Sequence, residues 1–230
     1  MNLDIPAPAR VAVIAGTPYD ARLGCDLLAR MGVSASAYPM ASSPDEQDAL
    51  QYLGSGALNG AFRTELDAIG AQGTNTVMLF CNSLAAVVDI ETAGWTSAVD
   101  VISPLDIYRA LPPELTNIMV ITGNGQATVG FERAVMRGGG DRRVLGVSDP
   151  ALVRLIETRD AEAAFTRSSM PAMLRLAQDE GFDAVVFACT HFTSVLPLAQ
   201  QACTVPIIDV GSRLVDLTCG RSGVFAGVLD

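Results

Sequence analysis

Two unbroken runs of apolar residues each end in a cysteine. The segments 76–83 (TVMLFCNS) and 183–192 (DAVVFACTHF) join β-branched and large apolar side chains to a cysteine that is followed by hydrogen-bonding residues. Such runs, bounded by glycine-containing turns, are typical of strands buried on both faces of a parallel sheet. Open α/β sheets bind ligands at the carboxyl ends of their strands, so the pattern predicts Cys81 and Cys189 at ligand-binding positions.

The two halves of the chain repeat each other. The two cysteines are 108 residues apart in a chain of 230. Val13–Thr17 (VIAGT) corresponds to Val120–Asn124 (VITGN), and Val99–Ser103 (VDVIS) to Val205–Asp209 (VPIID). The repeat predicts an α/β protein made of two pseudo-symmetric lobes with parallel-type sheets and an active site in the cleft between them.

The lobes and their elements follow from the same pattern. We expect residues 1–103 plus about 209–230 to form the first lobe, and about 104–208 the second. The predicted strands are the two cysteine-bearing runs and 10–15, 34–38, 99–102, 117–122, 143–147 and 205–208. In the first half, one predicted helix has Asp20 as its N-cap, a second covers 45–70 with a break near Gly54 and Gly56, and a third runs from Ser83 to about Thr92. In the second half, one predicted helix ends at Arg137 before three glycines, and another covers 150–180 with breaks around Arg159–Asp160 and Pro171. The last two predicted helices cover 192–203 and 211–219.

Two predicted strand-to-helix turns carry candidate chemistry. Gly16 and Thr17 follow the first strand, and turns of this kind present free backbone N–H groups that favour a carboxylate. Ser83 begins the helix after Cys81, and a helix N-terminus lowers the pKa of a nearby thiol. We therefore expect a carboxylate-binding turn at Gly16 and Thr17 and a lowered pKa for Cys81. No G-x-G-x-x-G motif is present, so a dinucleotide site has little support.

Charge and composition exclude several classes of function. The formal net charge is −10, so neither a nucleic acid nor an anionic membrane is expected as a partner. The chain has no lysine, which excludes a lysine Schiff base and ordinary pyridoxal-phosphate chemistry, and its one histidine is His191. The chain does not open with a basic and then apolar segment, and no apolar run approaches eighteen residues, so we expect a soluble, unexported, cytoplasmic protein.

The five cysteines form no C-x-x-C pair, so neither a disulfide framework nor a metal site is predicted. A free cysteine is usually a small buried hydrophobe, and we interpret Cys25, Cys203 and Cys219 in this way. Cys81 and Cys189 are unlike these three cysteines, because both occupy the same point of a repeated unit. Two thiols that face each other across a substrate can invert a carbon, since one thiolate removes a proton and the other thiol delivers one to the opposite face.

Several motifs resemble those of the aspartate/glutamate racemase superfamily. Cys81–Ser83 (CNS) is similar to its C-N-[TS] motif, and Ala188–Phe192 (ACTHF) to the G-C-T-H-Y motif of its glutamate racemase branch. Pro150–Glu157 (PALVRLIE) resembles the segment P-x-x-V-P-[IL]-V-E of that branch. Ile121–Asn124 (ITGN) lies where the family has A-T-x-G-T, and Val205–Asp209 matches its V-P-[IV]-[IV]-D strand. The ordered set covers most of the chain.

The resemblance implies a racemase that needs no cofactor, has catalytic thiols at Cys81 and Cys189, and commonly forms a homodimer. It also implies that His191, with Glu157 as its acidic neighbour, helps Cys189 to handle its proton. The α-carboxylate and ammonium of an amino-acid substrate would be held by polar residues that follow the strands: Asn82, Ser83, Thr122, Asn124 and Thr190. Aspartate and glutamate are the first substrates to consider.

The chain departs from the glutamate branch at two places. That branch opens with a D-S-G turn whose aspartate supports the first cysteine, whereas this chain has Ala15–Thr17 (AGT). Asp20 lies beyond the turn on a predicted helix, and we give it no role. The P-Y-G substrate loop has no counterpart in Tyr38–Ser43 (YPMASS).

These departures bear on specificity. The nearest cation, Arg22, lies on a predicted helix, so we expect neutral hydrogen bonds to hold the substrate side chain and more than one amino acid to be accepted. The alternatives are a hydantoin racemase, a maleate isomerase and a two-lobed small-molecule binding protein. Deuterium exchange at the α-carbon would separate a racemase from a binding protein.

Overall fold

The first sheet is parallel and holds its cysteine-bearing strand at the centre. In the computed structural model, which describes residues 10–52, 55–137, 141–158 and 160–221, its strands pair in the order β2-β1-β3-β4. They are β1 (Arg10–Ala15), β2 (Ser34–Pro39), β3 (Thr76–Phe80) and β4 (Asp100–Ile102). Four of the five residues of β3 are fully buried, because a central strand of a covered parallel sheet contacts helices on both faces.

The second sheet repeats the topology of the first. Its strands pair in parallel in the order β6-β5-β7-β8. They are β5 (Asn117–Thr122), β6 (Arg143–Ser148), β7 (Ala184–Ala188) and β8 (Ile207–Asp209). Every residue of β7 is buried. The prediction of two α/β units with parallel sheets is therefore confirmed.

Helices connect successive strands and cover the sheets. Those associated with the first sheet are α1 (Pro18–Arg30), α2 (Pro44–Gln51), α3 (Ser55–Ala71), α4 (Asn82–Val87), α5 (Ile90–Ser97) and α6 (Pro104–Arg109). The remaining helices are α7 (Gly125–Arg137), α8 (Pro150–Thr158), α9 (Ala161–Arg167), α10 (Met170–Asp179), a 3₁₀ helix (Thr190–Val195), α11 (Leu196–Ala202) and α12 (Val210–Arg221). No helix in the described ranges is both long and apolar enough to cross a membrane.

Two predicted helix boundaries were wrong, one at the start of α1 and one in the segment that follows Cys81. The N-cap of α1 is Thr17 rather than Asp20: Thr17 is extended, its hydroxyl accepts the Asp20 N–H at 3.3 Å, and Pro18 occupies the first helical position. Asp20 therefore lies inside the first turn. The helix expected from Ser83 to Thr92 is two helices, because Val88 is extended and Asp89 caps α5.

Other predicted breaks have different outcomes. The break expected around Pro171 is confirmed: α9 ends at Arg167 and α10 begins at Met170, with Pro171 in the first turn of α10, where its missing N–H removes no helical hydrogen bond. The segment after Cys189 begins as a 3₁₀ helix and becomes α-helical only from Leu196. The break expected around Arg159 and Asp160 is confirmed, because α8 ends at Thr158 and Asp160 caps α9. Gly56 lies inside α3, whereas Gly54 and the three glycines after Arg137 fall outside the described residues.

The first sheet is packed on both faces. Phe62 and Leu66 of α3 pack with Leu79 on one face, and Leu214 of α12 packs with Val13 and Met78 on the other. Helix α12 also contacts β7 and the 3₁₀ helix, so it lies between the two sheets. The assignment of residues 209–230 to the first lobe, and the lobe boundary near 104, stay predictions.

Helices α4 and α7 bring the two halves together. Gly130 of α7 lies so close to Ala86 of α4 that a β-carbon at position 130 would collide with the Ala86 side chain. Because α4 directly follows β3 and α7 directly follows β5, this contact sets the spacing between the carboxyl ends of the two sheets. The site described next lies at those ends.

Candidate active site

A narrow cavity lies where the carboxyl ends of the two sheets meet. Both Cys81 and Cys189 line it. Its enclosed volume is about 30 Å³, whereas ligand pockets usually measure about 300–1,000 Å³. The site is therefore nearly closed. A larger surface hollow of about 740 Å³ beside α5 and α6 is lined by neither cysteine.

Cys81 occupies the N-cap position of α4 and is 2% exposed. Its sulfur accepts a hydrogen bond from Gln47 Nε2 at 3.3 Å and lies 3.5 Å from the Ser83 hydroxyl. Burial, with the charge of Asp20, raises the pKa of Cys81 to about 11. The expectation of a lowered pKa was wrong, because α4 has only six residues and desolvation outweighs the effect of its positive end.

Cys189 occupies the equivalent position at the start of the 3₁₀ helix and is partly exposed. Its sulfur lies 3.9 Å from Nδ1 of His191. The imidazole is 2% exposed and stacks on the ring of Tyr19, with the centroids 5.6 Å apart. The two thiols thus have different neighbours, since an amide contacts the first and an imidazole the second.

Two carboxylates flank the imidazole of His191. Nε2 lies 2.8 Å from Oε1 of Glu157, and Nδ1 lies 3.6 Å from Oδ1 of Asp20. Burial lowers the pKa of His191. The charge of Asp20 and the hydrogen bonds with Cys189 and Glu157 raise it by more, so the net pKa is well above the ordinary value. The two carboxylates therefore favour the charged, imidazolium form of the buried ring.

Asp20, to which the sequence assigned no role, is a buried acidic residue of the site. Its side chain is 1% exposed and lines the cavity. Oδ2 accepts a hydrogen bond from the Thr190 hydroxyl at 2.7 Å, whereas the buried Oδ1 accepts none from the residues that the structure describes. Burial raises the pKa of Asp20 to about 6, although the charge of His191 and the Thr190 hydrogen bond lower it. Pro18 could have indicated this role, because a proline favours the first position of a helix. With Pro18 at that position, Thr17 is the N-cap and Asp20 lies in the first turn of α1.

Thr17 and Glu157 act behind the cavity wall. The Thr17 hydroxyl donates a hydrogen bond to Oε1 of Glu157 at 2.5 Å, the same oxygen that contacts His191. Burial raises the pKa of Glu157, but the bonds from His191 and Thr17 lower it more, and the net shift is downward. Neither residue lines the cavity.

The structure brings four of the expected substrate-binding residues to the cavity: Asn82, Ser83, Asn124 and Thr190. Thr122 is fully buried, and its hydroxyl donates to the backbone oxygen of Asn124 at 3.1 Å, so it shapes the turn after β5. Gly16 lies beneath the side chain of Gln47, which would collide with any β-carbon at position 16. Thr122 and Gly16 are outside the cavity lining.

Gly123 permits Cys189 to lie against the turn after β5. A β-carbon at this position would be 3.1 Å from both the Cys189 sulfur and Cγ2 of Val153. Since real β-carbons rarely approach neighbours so closely, any larger residue would displace the sulfur or the α8 side chain.

Three further polar residues of the cavity were not found from the sequence: Gln47, Asp48 and Arg154. The first two lie on α2, which follows the loop in which no substrate motif was identified, and Arg154 lies on α8. Arg154 forms ion pairs with Asp45 and Asp48 of α2, with N–O distances of 2.6 and 3.2 Å. These pairs hold α2 and α8 together at the cavity.

The chain is similar in sequence to known racemases. Residues 108–218 match the family model described as Asp/Glu/Hydantoin racemase. The chain is 28% identical over 155 residues to a glutamate racemase of Stutzerimonas stutzeri. That alignment covers 62% of this chain and 56% of the relative, so the chain spans little more than half the length of the protein it matches.

Solved structures share the fold over nearly the whole chain. A glutamate racemase isoform from Bacillus anthracis superposes with a TM-score of 0.68 at 15% identity, covering 96% of this chain and 84% of that one. An aspartate racemase from Picrophilus torridus superposes with a TM-score of 0.67 at 15% identity, covering 93% of this chain and 94% of that one. At these identities the likeness concerns the fold alone.

Proposed function

We propose that this chain belongs to the aspartate/glutamate racemase superfamily and is a cofactor-independent amino-acid racemase acting on aspartate, glutamate or a related amino acid. The observation that carries the proposal is that Cys81 and Cys189 line one cavity from equivalent strand ends of two repeated sheets. A protein that only binds a small molecule would have no use for two thiols placed in this way.

The proposed reaction moves two protons and consumes nothing. The thiolate of one cysteine takes the α-proton, and the electron pair of the broken C–H bond stays on the α-carbon, stabilised by the adjacent carboxylate. The thiol of the other cysteine then delivers its proton to the opposite face, and its electron pair remains on sulfur. The configuration at the α-carbon is inverted.

We assign the first removal of a proton, in the resting protein, to Cys189. The buried imidazolium of His191 lies 3.9 Å from this sulfur and stabilises negative charge on it. Glu157 and Asp20, on either side of the ring, hold His191 in its charged form. Cys81, whose pKa is raised to about 11, is then the thiol that delivers a proton.

The polar residues of the cavity wall are assigned to the substrate. Asn82, Ser83, Asn124 and Thr190 line the cavity and supply neutral donors and acceptors for the α-carboxylate and ammonium. Among the expected binding residues, Thr122, Gly16 and Thr17 are assigned positioning roles, because they lie behind that wall. The nearly closed cavity requires α2 to move when a substrate enters.

We further propose that the protein acts as a homodimer, as the family resemblance implies, and that it is cytoplasmic, as a cysteine pattern that predicts no disulfide framework favours. Analytical ultracentrifugation of the purified chain tests the first part. A monomer at micromolar concentration would contradict it.

Exchange of the α-proton tests the proposed activity. Each enantiomer of aspartate and glutamate, together with other amino acids and a hydantoin, is incubated with the protein in deuterium oxide. We expect deuterium to enter the α-position of at least one amino acid while circular dichroism shows loss of optical activity. The Cys81→Ser, Cys189→Ser double variant is the control. Exchange confined to the hydantoin would point to that alternative substrate class, and no exchange with any compound would refute the proposal.

A further inference from the structure

Among the residues that the structure describes, Arg154 is the one arginine that lines the cavity, in a chain without lysine. From the sequence, we expected only neutral donors for the substrate side chain. The position of Arg154 calls for a different account.

The guanidinium of Arg154 already holds a carboxylate in its fork. Nε and Nη2 both donate to Oδ1 of Asp45, at 2.9 and 2.6 Å, and Nη2 also reaches Oδ2 of Asp48 at 3.2 Å. Nη1 donates to the backbone oxygen of Pro150 at 3.2 Å, which fixes the orientation of the group. Adjacent N–H donors of this kind match the geometry of carboxylates.

The carboxylate in this fork is held weakly. The Asp45 side chain is 79% exposed, so it can return to water without loss of solvation. Exposed ion pairs of this type contribute little to stability. Asp48 is more enclosed, at 35% exposed, and also lies 3.5 Å from Nδ2 of Asn124. The fork is thus a formed carboxylate site in which Asp45 is easily replaced.

The cavity lining that includes Arg154 combines the neutral donors Gln47 and Asn124 with apolar side chains. The apolar side chains include those of Pro44, Ala127, Pro150 and Val153. A second carboxylate placed among them without a partner would lose its hydration. Arg154 offers the compensating charge.

We propose that Arg154 determines substrate specificity by binding the second carboxylate of a dicarboxylic amino acid, which displaces Asp45 from the guanidinium fork. The inference rests on the proposed racemase function and names its substrate class. Asp45 occupies the position that the substrate carboxylate would take, and the exchange removes one of the two ion pairs that join α2 to α8.

Calorimetric binding tests the inference without requiring turnover. Aspartate and glutamate are compared with their amide isosteres, asparagine and glutamine, on the wild-type chain and on Arg154→Gln. We expect the wild type to bind the dicarboxylates more tightly, and Arg154→Gln to reduce that preference tenfold or more, because a hydrogen-bonded charge is lost. Arg109→Gln is the matched control, since Arg109 is 48% exposed and pairs with Glu91 outside the cavity. It should leave the preference unchanged.

A second variant has the opposite expected sign. Asp45→Asn removes the carboxylate that competes for the fork, so dicarboxylates should bind several-fold more tightly. Equal binding of dicarboxylates and amides by the wild type, an equal loss of both in Arg154→Gln, or weaker dicarboxylate binding by Asp45→Asn would overturn the inference. Deuterium exchange measured on the same samples reports on the racemase function separately, because a selective binder without exchange would refute only that function.

Discussion

The free energy of unfolding of an Asp20→Asn variant, minus that of the wild type, should increase as the pH rises. Burial raises the pKa of Asp20 from 3.8 to about 6. Each pKa unit corresponds to about 1.4 kcal/mol, so ionising this group costs the folded state about 3 kcal/mol relative to the unfolded chain. An asparagine side chain at this position would not ionise and would avoid this cost.

The sign follows from the direction of the shift. Since the folded pKa is above the unfolded value, the unfolded chain releases the proton first, and the wild type loses stability as the pH rises from 3.8 through about 6. The stability difference, variant minus wild type, should therefore grow by about 2 kcal/mol between pH 4 and pH 6. His191 adds little in this window because its pKa, and that of an ordinary histidine, lie above it.

Urea unfolding at pH 4, 5 and 6, followed by circular dichroism, measures this difference. Asp26→Asn is the matched control: Asp26 lies on the same helix but is exposed to solvent, so its removal should not produce the same growth. A stability difference for Asp20→Asn that is constant or shrinks as the pH rises would refute the reasoning.

The substitution Asp20→Asn should also change the reactivity of the Cys81 thiol. The charge of Asp20, after burial, raises the pKa of Cys81. Removing that charge should make Cys81 react with an alkylating reagent at lower pH. The measurement is made in a Cys189→Ser background so that one active-site thiol reports. An unchanged alkylation profile would mean that the two groups do not interact.

Three further predictions follow from the geometry of the thiols. Cys81→Ser and Cys189→Ser should each reduce racemisation by about a thousandfold, while one variant still exchanges the α-proton of a single enantiomer; full activity in either would refute the two-thiol assignment. His191→Asn should lower kcat by about a hundredfold in the direction that Cys189 initiates and less in the other, measured by circular dichroism from each enantiomer; equal losses in kcat would indicate a positioning role. Gly123→Ala should lower kcat/KM at least tenfold without unfolding the chain, because its β-carbon would press on Cys189 and Val153; wild-type kinetics would show that the close approach is unimportant.

The sequence predicted the sheets and the two thiols because both depend on local patterns. Continuous apolar runs mark β3 and β7, and the offset between their cysteines marks the repeat. The pairing of His191 with Glu157 came from the family resemblance, and the structure brings the two side chains to 2.8 Å. These features require knowledge of spacing along the chain but not of three-dimensional packing.

The residues that were missed depend on tertiary contacts. Asp20 faces the cavity because α1 begins one turn earlier than expected, and its raised pKa comes from burial that no local pattern records. The raised pKa of Cys81 has the same origin. Gln47 and Arg154 reach the site through the packing of α2 against α8, elements that are more than a hundred residues apart in the chain.

The unequal surroundings of Cys81 and Cys189 act on a reaction whose products have equal free energy. Enantiomers in water are isoenergetic, so the equilibrium constant of a racemisation is one, and the Haldane relation requires kcat/KM to be the same in both directions at every pH. The different neighbours of the two thiols, Gln47 beside Cys81 and His191 beside Cys189, can therefore change kcat and KM in each direction but not the ratio of kcat to KM. The direction with the higher kcat must also have the higher KM, by the same factor. Any substitution that changes one thiol alone has to preserve this equality, so measurements from the two enantiomers check each other.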